Sequence, residues 1–257
     1  MIRFLRPAFL SFVVRAYLFV LCLTTIIWCC VVGRSAWYDS STANIAGRIL
    51  EGEYYPPLTL LAWISRSSVQ SNIPVRASTL NKLAIIRLRL VEEAIVFGNT
   101  TDLDTQFDAL DAALYLALSN SPSDPYLWTV LFWLSNTRNG LSHQNWRFLR
   151  FSYELGPYEG WIAAKRNRLS IALFASLPQD IETAAVAEFV NLVRSRQYED
   201  AFAILSGPGR PIRSLLAQRL KDIPEADLRP FVKMWGDREI EAILIPGVSV
   251  PPGRPWR

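Results

Sequence analysis

ALDAALYLALSNSPSDPYLWTVLFWLSNTRNG, residues 109–140, is two helical stretches around one break. Apolar residues recur in it at three- and four-residue spacing, the period of a helix with one buried face. Asp124-Pro125 is an N-cap and first-turn pair, and Gly140 is a stop. The same pattern extends over residues 40–244, and no run of strict alternation suggests a strand. Pro56-Pro57 opens PLTLLAWISR. Thr101 with Asp104 makes a capping-box-like start for the segment before Asp124, and Ser142 starts the segment after Gly140. Gly156-Pro157, Pro178 and Pro224 mark further breaks. Helices of about 10 to 20 residues joined by short turns predict an all-α, antiparallel array.

The N-terminal segment reads differently. Residues 16–32, AYLFVLCLTTIIWCCVV, carry no charge. With residues 7–14 in front, the apolar stretch reaches about 25 residues, interrupted by Arg15, where a bilayer requires roughly 20. Ala16, Leu21, Ile26 and Val32 mark its course, and Arg15 snorkels at one end. Arg3, Arg6 and Arg15 lie before the segment; Arg34 and then Asp39 follow it. This asymmetry predicts a cytoplasmic N-terminus, a single-pass anchor in a bacterial inner membrane, and a periplasmic C-terminal domain. Trp28, Trp37 and Tyr38 fall where interfacial aromatics belong. A cleaved signal peptide needs small residues at its cleavage site, and the segment ends instead in Trp, Cys and Val. The expected division is an anchor over 1–35, a helical domain over 36–244 and a Pro/Gly-rich tail over 245–257.

Charge and cysteine usage narrow the function classes. Setting aside Arg3, Arg6, Arg15 and Arg34 leaves 23 basic and 23 acidic residues, so the excess charge belongs to the leader. A nucleic-acid binder carries its excess on the folded domain, so nucleic acid is not an expected partner. The three cysteines, Cys22, Cys29 and Cys30, all lie in the apolar segment. The rest of the chain therefore has no thiol nucleophile or thiolate metal site and suits an oxidising compartment.

A period is visible. SNSPSDPYLW ends at Trp128 and YELGPYEGW ends at Trp161, 33 residues later. RSRQYEDAFAIL, residues 194–205, has the look of a second helix in such a unit. A period near 34 belongs to two-helix solenoid repeats, whose units bury their apolar faces only by stacking. Residues 109–140 and FSYELGPYEGWIAAKRNRLSIAL, residues 151–173, resemble the tetratricopeptide repeat. The layout as a whole is similar to short, membrane-anchored, tetratricopeptide-like proteins linked to bacterial exopolysaccharide biosynthesis. The usual glycine eight residues into the first helix is missing, and the C-terminal third does not repeat cleanly. The resemblance implies an antiparallel helical-repeat domain and protein partners in a polysaccharide assembly.

His143, the single histidine, lies in the first turn of a helix without a cysteine partner, so a zinc site is not expected. Asp104, Asp108 and Asp111 share a face, and the helix dipole accounts for them better than a metal does. GPGRPIR, residues 207–213, lacks the Lys-Ser/Thr of a phosphate loop, and two prolines remove donors. Rings from Tyr126 to Trp161 are interleaved with Arg147, Arg150, Lys165, Arg166 and Arg168. Solenoid packing is the preferred account of them. The alternative is a glycan or partner face built on Arg147, Arg150, Trp161 and Arg166. The tail around Trp256 is either loose or a polyproline-like docking segment.

No catalytic, cofactor or metal motif stands out, so an enzyme is disfavoured. Three functions stay open: a membrane-tethered scaffold for protein partners, a module that binds polysaccharide directly, and an accessory subunit of another membrane complex.

Overall fold

The computed structural model describes residues 7–69, 76–97 and 100–238, and among these every regular element is helical. Eleven α-helices follow in order: α1 (Pro7–Leu50), α2 (Pro57–Val69), α3 (Ala77–Val96), α4 (Thr100–Asn120), α5 (Pro125–Asn139), α6 (Trp146–Leu155), α7 (Gly160–Ala172), α8 (Gln179–Arg194), α9 (Tyr198–Ser206), α10 (Arg213–Arg219) and α11 (Glu225–Asp237). The all-α expectation therefore holds. The tail at 245–257 and the leading arginines Arg3 and Arg6 lie outside the described residues.

Residue 35, the expected end of the anchor, lies inside a continuous helix. α1 runs through it without interruption, and the two compact units are Met1–Ala117 and Leu118–Arg257. The reason is local. No proline follows Pro7 before the helix ends at Leu50, and an isolated Gly33 is tolerated in a helix interior. What does stop α1 is Gly52, at φ +93°. Its N–H bonds to the Ile49 carbonyl at 3.0 Å and the Glu53 N–H to that of Arg48 at 2.9 Å, a Schellman closure.

In the first unit α2 turns back along α1, and α3 runs parallel to α1. Trp63 of α2 stacks on Tyr38 at 5.6 Å, and its indole N–H donates to Thr42 Oγ1 at 3.2 Å. Further along, Leu60, Ile86 and Leu90 form a buried cluster against Ile45, Ile49 and Trp63. The start of α3 is fixed by a carboxylate from α1. Arg76 at its N-cap makes no side-chain cap bond. Instead Asp39 accepts from Thr79 Oγ1 at 2.5 Å and Lys82 Nζ at 3.3 Å, with the Arg76 guanidinium at 3.8 Å. An anion beside the first turn also meets the positive end of the helix dipole.

In the second unit α5 packs on α6 and α7 on α8, while α9, α10 and α11 gather against α8. Asp124 caps α5 as the sequence indicated, Oδ1 accepting from the N–H of Tyr126 at 3.0 Å and of Leu127 at 3.2 Å. Gly140 closes the helix at φ +76°, a conformation that favours glycine. Ser142 does not begin the next helix; α6 begins at Trp146. The Ser142 Oγ accepts from the Gln144 N–H at 3.3 Å and holds a turn, and Asn145 Nδ2 donates back to Asn136 Oδ1 at 2.9 Å. Pro178 and Pro224 stand immediately before α8 and α11. The core takes its bulk from Phe132, Leu149, Phe189, Leu205 and Phe231, with Phe132 on Trp146 at 5.3 Å and Phe202 on Trp235 at 5.0 Å.

The Thr79 hydroxyl, reinforced by Lys82 and Arg76, holds the Asp39 carboxyl below its ordinary value, and burial opposes this only in part. A depressed folded-state pKa contributes stability that is complete above the ordinary value and is lost as pH falls through the folded one. Asp39→Asn should lower the urea midpoint at pH 7. It should also make the decline of that midpoint below pH 3.8 shallower than in the unaltered protein. Parallel decline in the two proteins would remove Asp39 from the acid response.

Candidate functional site

The largest exposed apolar surface lies on α1. Every residue from 11 to 31 is exposed, on all sides of the helix, and the most apolar window has mean hydropathy 2.3 with none of it buried within the chain. Among the described residues α1 is the one helix long and apolar enough to cross a membrane. Ala16, Leu21 and Ile26 are exposed, and Val32 is the first half-buried position. The two threonines present no unsatisfied hydroxyl. Thr24 Oγ1 donates to the Val20 and Leu21 carbonyls at 3.0 and 2.9 Å, and Thr25 Oγ1 to that of Leu21 at 2.7 Å. Cys22, Cys29 and Cys30 are free thiols on the same surface.

The Arg/aromatic face does not assemble as expected. Arg147 is exposed and lies over the Phe148 ring at 4.8 Å. Arg150 is engaged by Asp180 through two bonds of 2.5 and 3.1 Å, which hold the Asp180 carboxyl below its ordinary value. Trp161 is half exposed, its ring 5.1 Å from Tyr126. Arg166 is not on any face: it is fully buried.

The physical reason is a set of acceptors that saturates its guanidinium. Nε donates to Glu188 Oε1 at 3.1 Å, and Nη1 to the Ser152 carbonyl and to Ser152 Oγ at 2.9 Å. Nη2 donates to the Gly156 carbonyl at 2.9 Å and to Glu188 Oε1. All five N–H groups of the fork are thereby used. Two of the acceptors are carbonyls at the C-terminal end of α6, so the charge caps that helix from α7. Beneath the guanidinium lies the Tyr153 ring at 4.2 Å, whose hydroxyl donates to Ser170 Oγ at 2.9 Å. Ser152 Oγ also donates to the Pro125 carbonyl at 2.7 Å and sits 2.7 Å from Thr129 Oγ1. Asn167 Nδ2 donates to the Ala185 carbonyl at 2.7 Å. One buried network thus joins α5, α6, α7 and α8. Close approach is part of it: a Cβ on Gly156 would meet Pro125 Cγ at 2.5 Å.

Burial pushes the Glu188 carboxyl up, more than its bonds to Arg166 bring it down. Burial likewise raises the Tyr153 phenol, with the Glu188 charge adding to it. Tyr153 therefore serves as a neutral donor and a ring, and the Glu188 charge is consumed by Arg166.

Glu188 also forms part of the wall of an open cleft of about 470 Å³. Tyr158, Gly160, Asn191, Arg194 and Gln197 are among its other lining residues. The Tyr158 side chain is almost wholly exposed at the edge. The cleft offers a ring and two amides, which suits reversible hydrogen bonding and stacking. His143 is exposed in the turn before α6, and among the described residues no group of three or more His, Cys, Asp or Glu side chains is placed to hold a metal ion.

The network leaves a trace in the sequence that a surface reading of the arginines overlooks. Ala163, Arg166, Asn167 and Ser170 recur at three- and four-residue spacing, and so do Ile181, Ala185, Glu188 and Leu192. Each polar residue stands where an apolar one would normally mark the buried stripe. Comparison of the sequence with protein-family models gives no match, and searches of curated proteins and of solved structures give none.

Removing one partner of a buried ion pair leaves the other charge uncompensated, at a cost of about 3–5 kcal/mol. Arg166→Met and Glu188→Leu should each be that damaging, whereas the double variant should recover a large part of the loss. The measurement is a double-mutant cycle by urea unfolding. Additive losses would show that the two groups do not act as a pair.

Proposed function

We propose that this chain is a single-pass membrane protein that presents a rigid, all-helical scaffold to protein partners at the membrane surface. One observation carries the reading: the apolar surface of α1 over residues 11–31, which no described residue covers. Water is a costly solvent for such a surface and a bilayer a favourable one. The three arginines before the segment support a cytoplasmic N-terminus, with the helical units on the opposite, periplasmic side of a bacterial inner membrane. The α5/α6 and α7/α8 pairs support a tetratricopeptide-like stacking of helices. With the resemblance of residues 109–140 and 151–173, they favour partners in a polysaccharide biosynthesis or export assembly. The scaffold acts by tethering, without a cofactor or a catalytic step.

The cleft beside Glu188 favours a second reading, direct binding of a glycan chain. Its Tyr158 ring and the Asn191 and Gln197 amides replace the Arg/aromatic face in that role. Retention of the protein on immobilised polysaccharide, lost in Tyr158→Ala/Gln197→Ala, would support it. Arg166→Ala is unsuitable for this test because it attacks the core. No retention of the unaltered protein would reject the second reading and leave the scaffold.

The principal test is extraction and topology. The full chain should stay with the membrane in alkaline carbonate, and a C-terminal reporter active only in the periplasm should be active. An arginine at the centre of a spanning helix costs about 2.5–3.5 kcal/mol, so Leu21→Arg/Ile26→Arg should move most of the protein to the soluble or aggregated fraction. Release of the unaltered chain by carbonate would overturn the anchor. Reporter activity in the cytoplasm would overturn the orientation.

A further inference from the structure

Continuity of α1 fixes what faces the bilayer. α2 returns along α1 so that Trp63 lies level with Tyr38 and Thr42. One turn further on, Arg66 is exposed near the level of Trp37, itself 68% exposed. α3 starts at the same level, because Asp39 holds Thr79 and Lys82, and Arg76 precedes them with its side chain 57% exposed. At 1.5 Å per residue this level is about 6–8 Å beyond Val32, where the apolar run ends. The headgroup layer occupies about 5–7 Å on each side of the hydrocarbon core. Charge along these three helices is also polarised. Arg66, Arg76 and Lys82 share this end with one carboxylate, Asp39, which lies 3.3 Å from Lys82 and 3.8 Å from Arg76 and so offsets one of the three charges. The other four acids of α1, α2, α3 and their first connection, Glu51, Glu53, Glu92 and Glu93, lie at the far end, beside Arg48 and Arg89.

We infer that the membrane-proximal rim of the first unit, built on Arg66, Arg76 and Trp37, docks on the phosphates of anionic phospholipid headgroups. The inference rests on the anchor reading of α1 and adds a partner to it. Each guanidinium offers a planar fork that matches a phosphate, and Trp37 supplies the amphipathic ring that interfaces favour. The attraction falls within a Debye length, so only groups at this level take part. The lipid contact would hold the first unit down on the surface from α2 and α3 as well as from α1.

The test uses the full chain reconstituted into phosphatidylcholine vesicles holding a trace of spin-labelled phosphatidylglycerol or spin-labelled phosphatidylcholine. The readout is the relative association constant of the two labels for the protein. The unaltered chain should prefer phosphatidylglycerol several-fold at low salt. Arg66→Gln/Arg76→Gln should lose at least half of that preference, Arg66→Lys/Arg76→Lys should restore most of it, and 1 M salt should remove it. Arginines on the opposite leaflet act equally in all these proteins, so the difference isolates the rim. An unchanged preference in the Gln variant, with helicity intact by circular dichroism, would overturn the inference while leaving the anchor standing. A chain that failed to enter vesicles, giving no motionally restricted lipid, would overturn both.

Discussion

Apolar surface open to water is costly. α1 exposes such a surface on all sides from residue 11 to residue 31 and then, without a break, becomes a core helix of the first unit at Thr42, Ile45, Ala46 and Ile49. The change is one of composition rather than of backbone. Before Val32 the residues are apolar on all sides; after it Asp39 and Thr42 make polar contacts with α3 and α2 while the isoleucines make apolar ones. An all-round apolar helix and an amphipathic one are the two standard solutions for different environments. Here one rod carries both in series.

The second unit depends on a different constraint, the burial of a charge that can never be neutralised by losing its proton. Arg166 is tolerated in the interior because its five donors all find acceptors and because Glu188 supplies the countercharge. Such a pair is weak evidence for stability, since apolar residues of similar volume often do as well. Its consequence is specificity. The carbonyls of Ser152 and Gly156, the hydroxyl of Ser152 and the carboxylate of Glu188 must all be at their stations at once, so α6, α7 and α8 have one way to pack. For the proposed scaffold, a single well-defined surface matters more than an extra kcal/mol.

How much of this was legible follows from the range of each interaction. Asp124-Pro125, Gly140, Pro178 and Pro224 act on backbone groups within a few residues, and the sequence shows them directly. Ser142 misled because its hydroxyl serves a turn as readily as a helix start, and the choice was made by Asn145 reaching back nine residues to Asn136. Arg166 misled because its partners lie 10, 14 and 22 residues away, and a long basic side chain among aromatics reads by default as surface. The expected anchor end at residue 35 follows composition, which changes there while the helical backbone continues. The period of 33 between Trp128 and Trp161 fades because the helices differ in length: α6 has 10 residues, α8 has 16 and α9 has 9. Units of unequal length cannot keep one register.

Helix continuity also bears on how a tethered scaffold of this kind would work. A flexible linker lets a domain sample a volume that grows with linker length, which dilutes it with respect to any partner at the surface. α1 has no such linker: Val32 and the first inward-facing contacts at Tyr38 and Asp39 are joined by less than two turns of helix. The first unit is therefore held at a nearly fixed height and tilt relative to the apolar run. Contacts with a membrane partner then lose little further rotational freedom on forming, so individually weak ones suffice. The same rigidity sets a limit on partners, because a surface that cannot swing toward them must already face the right way when they arrive.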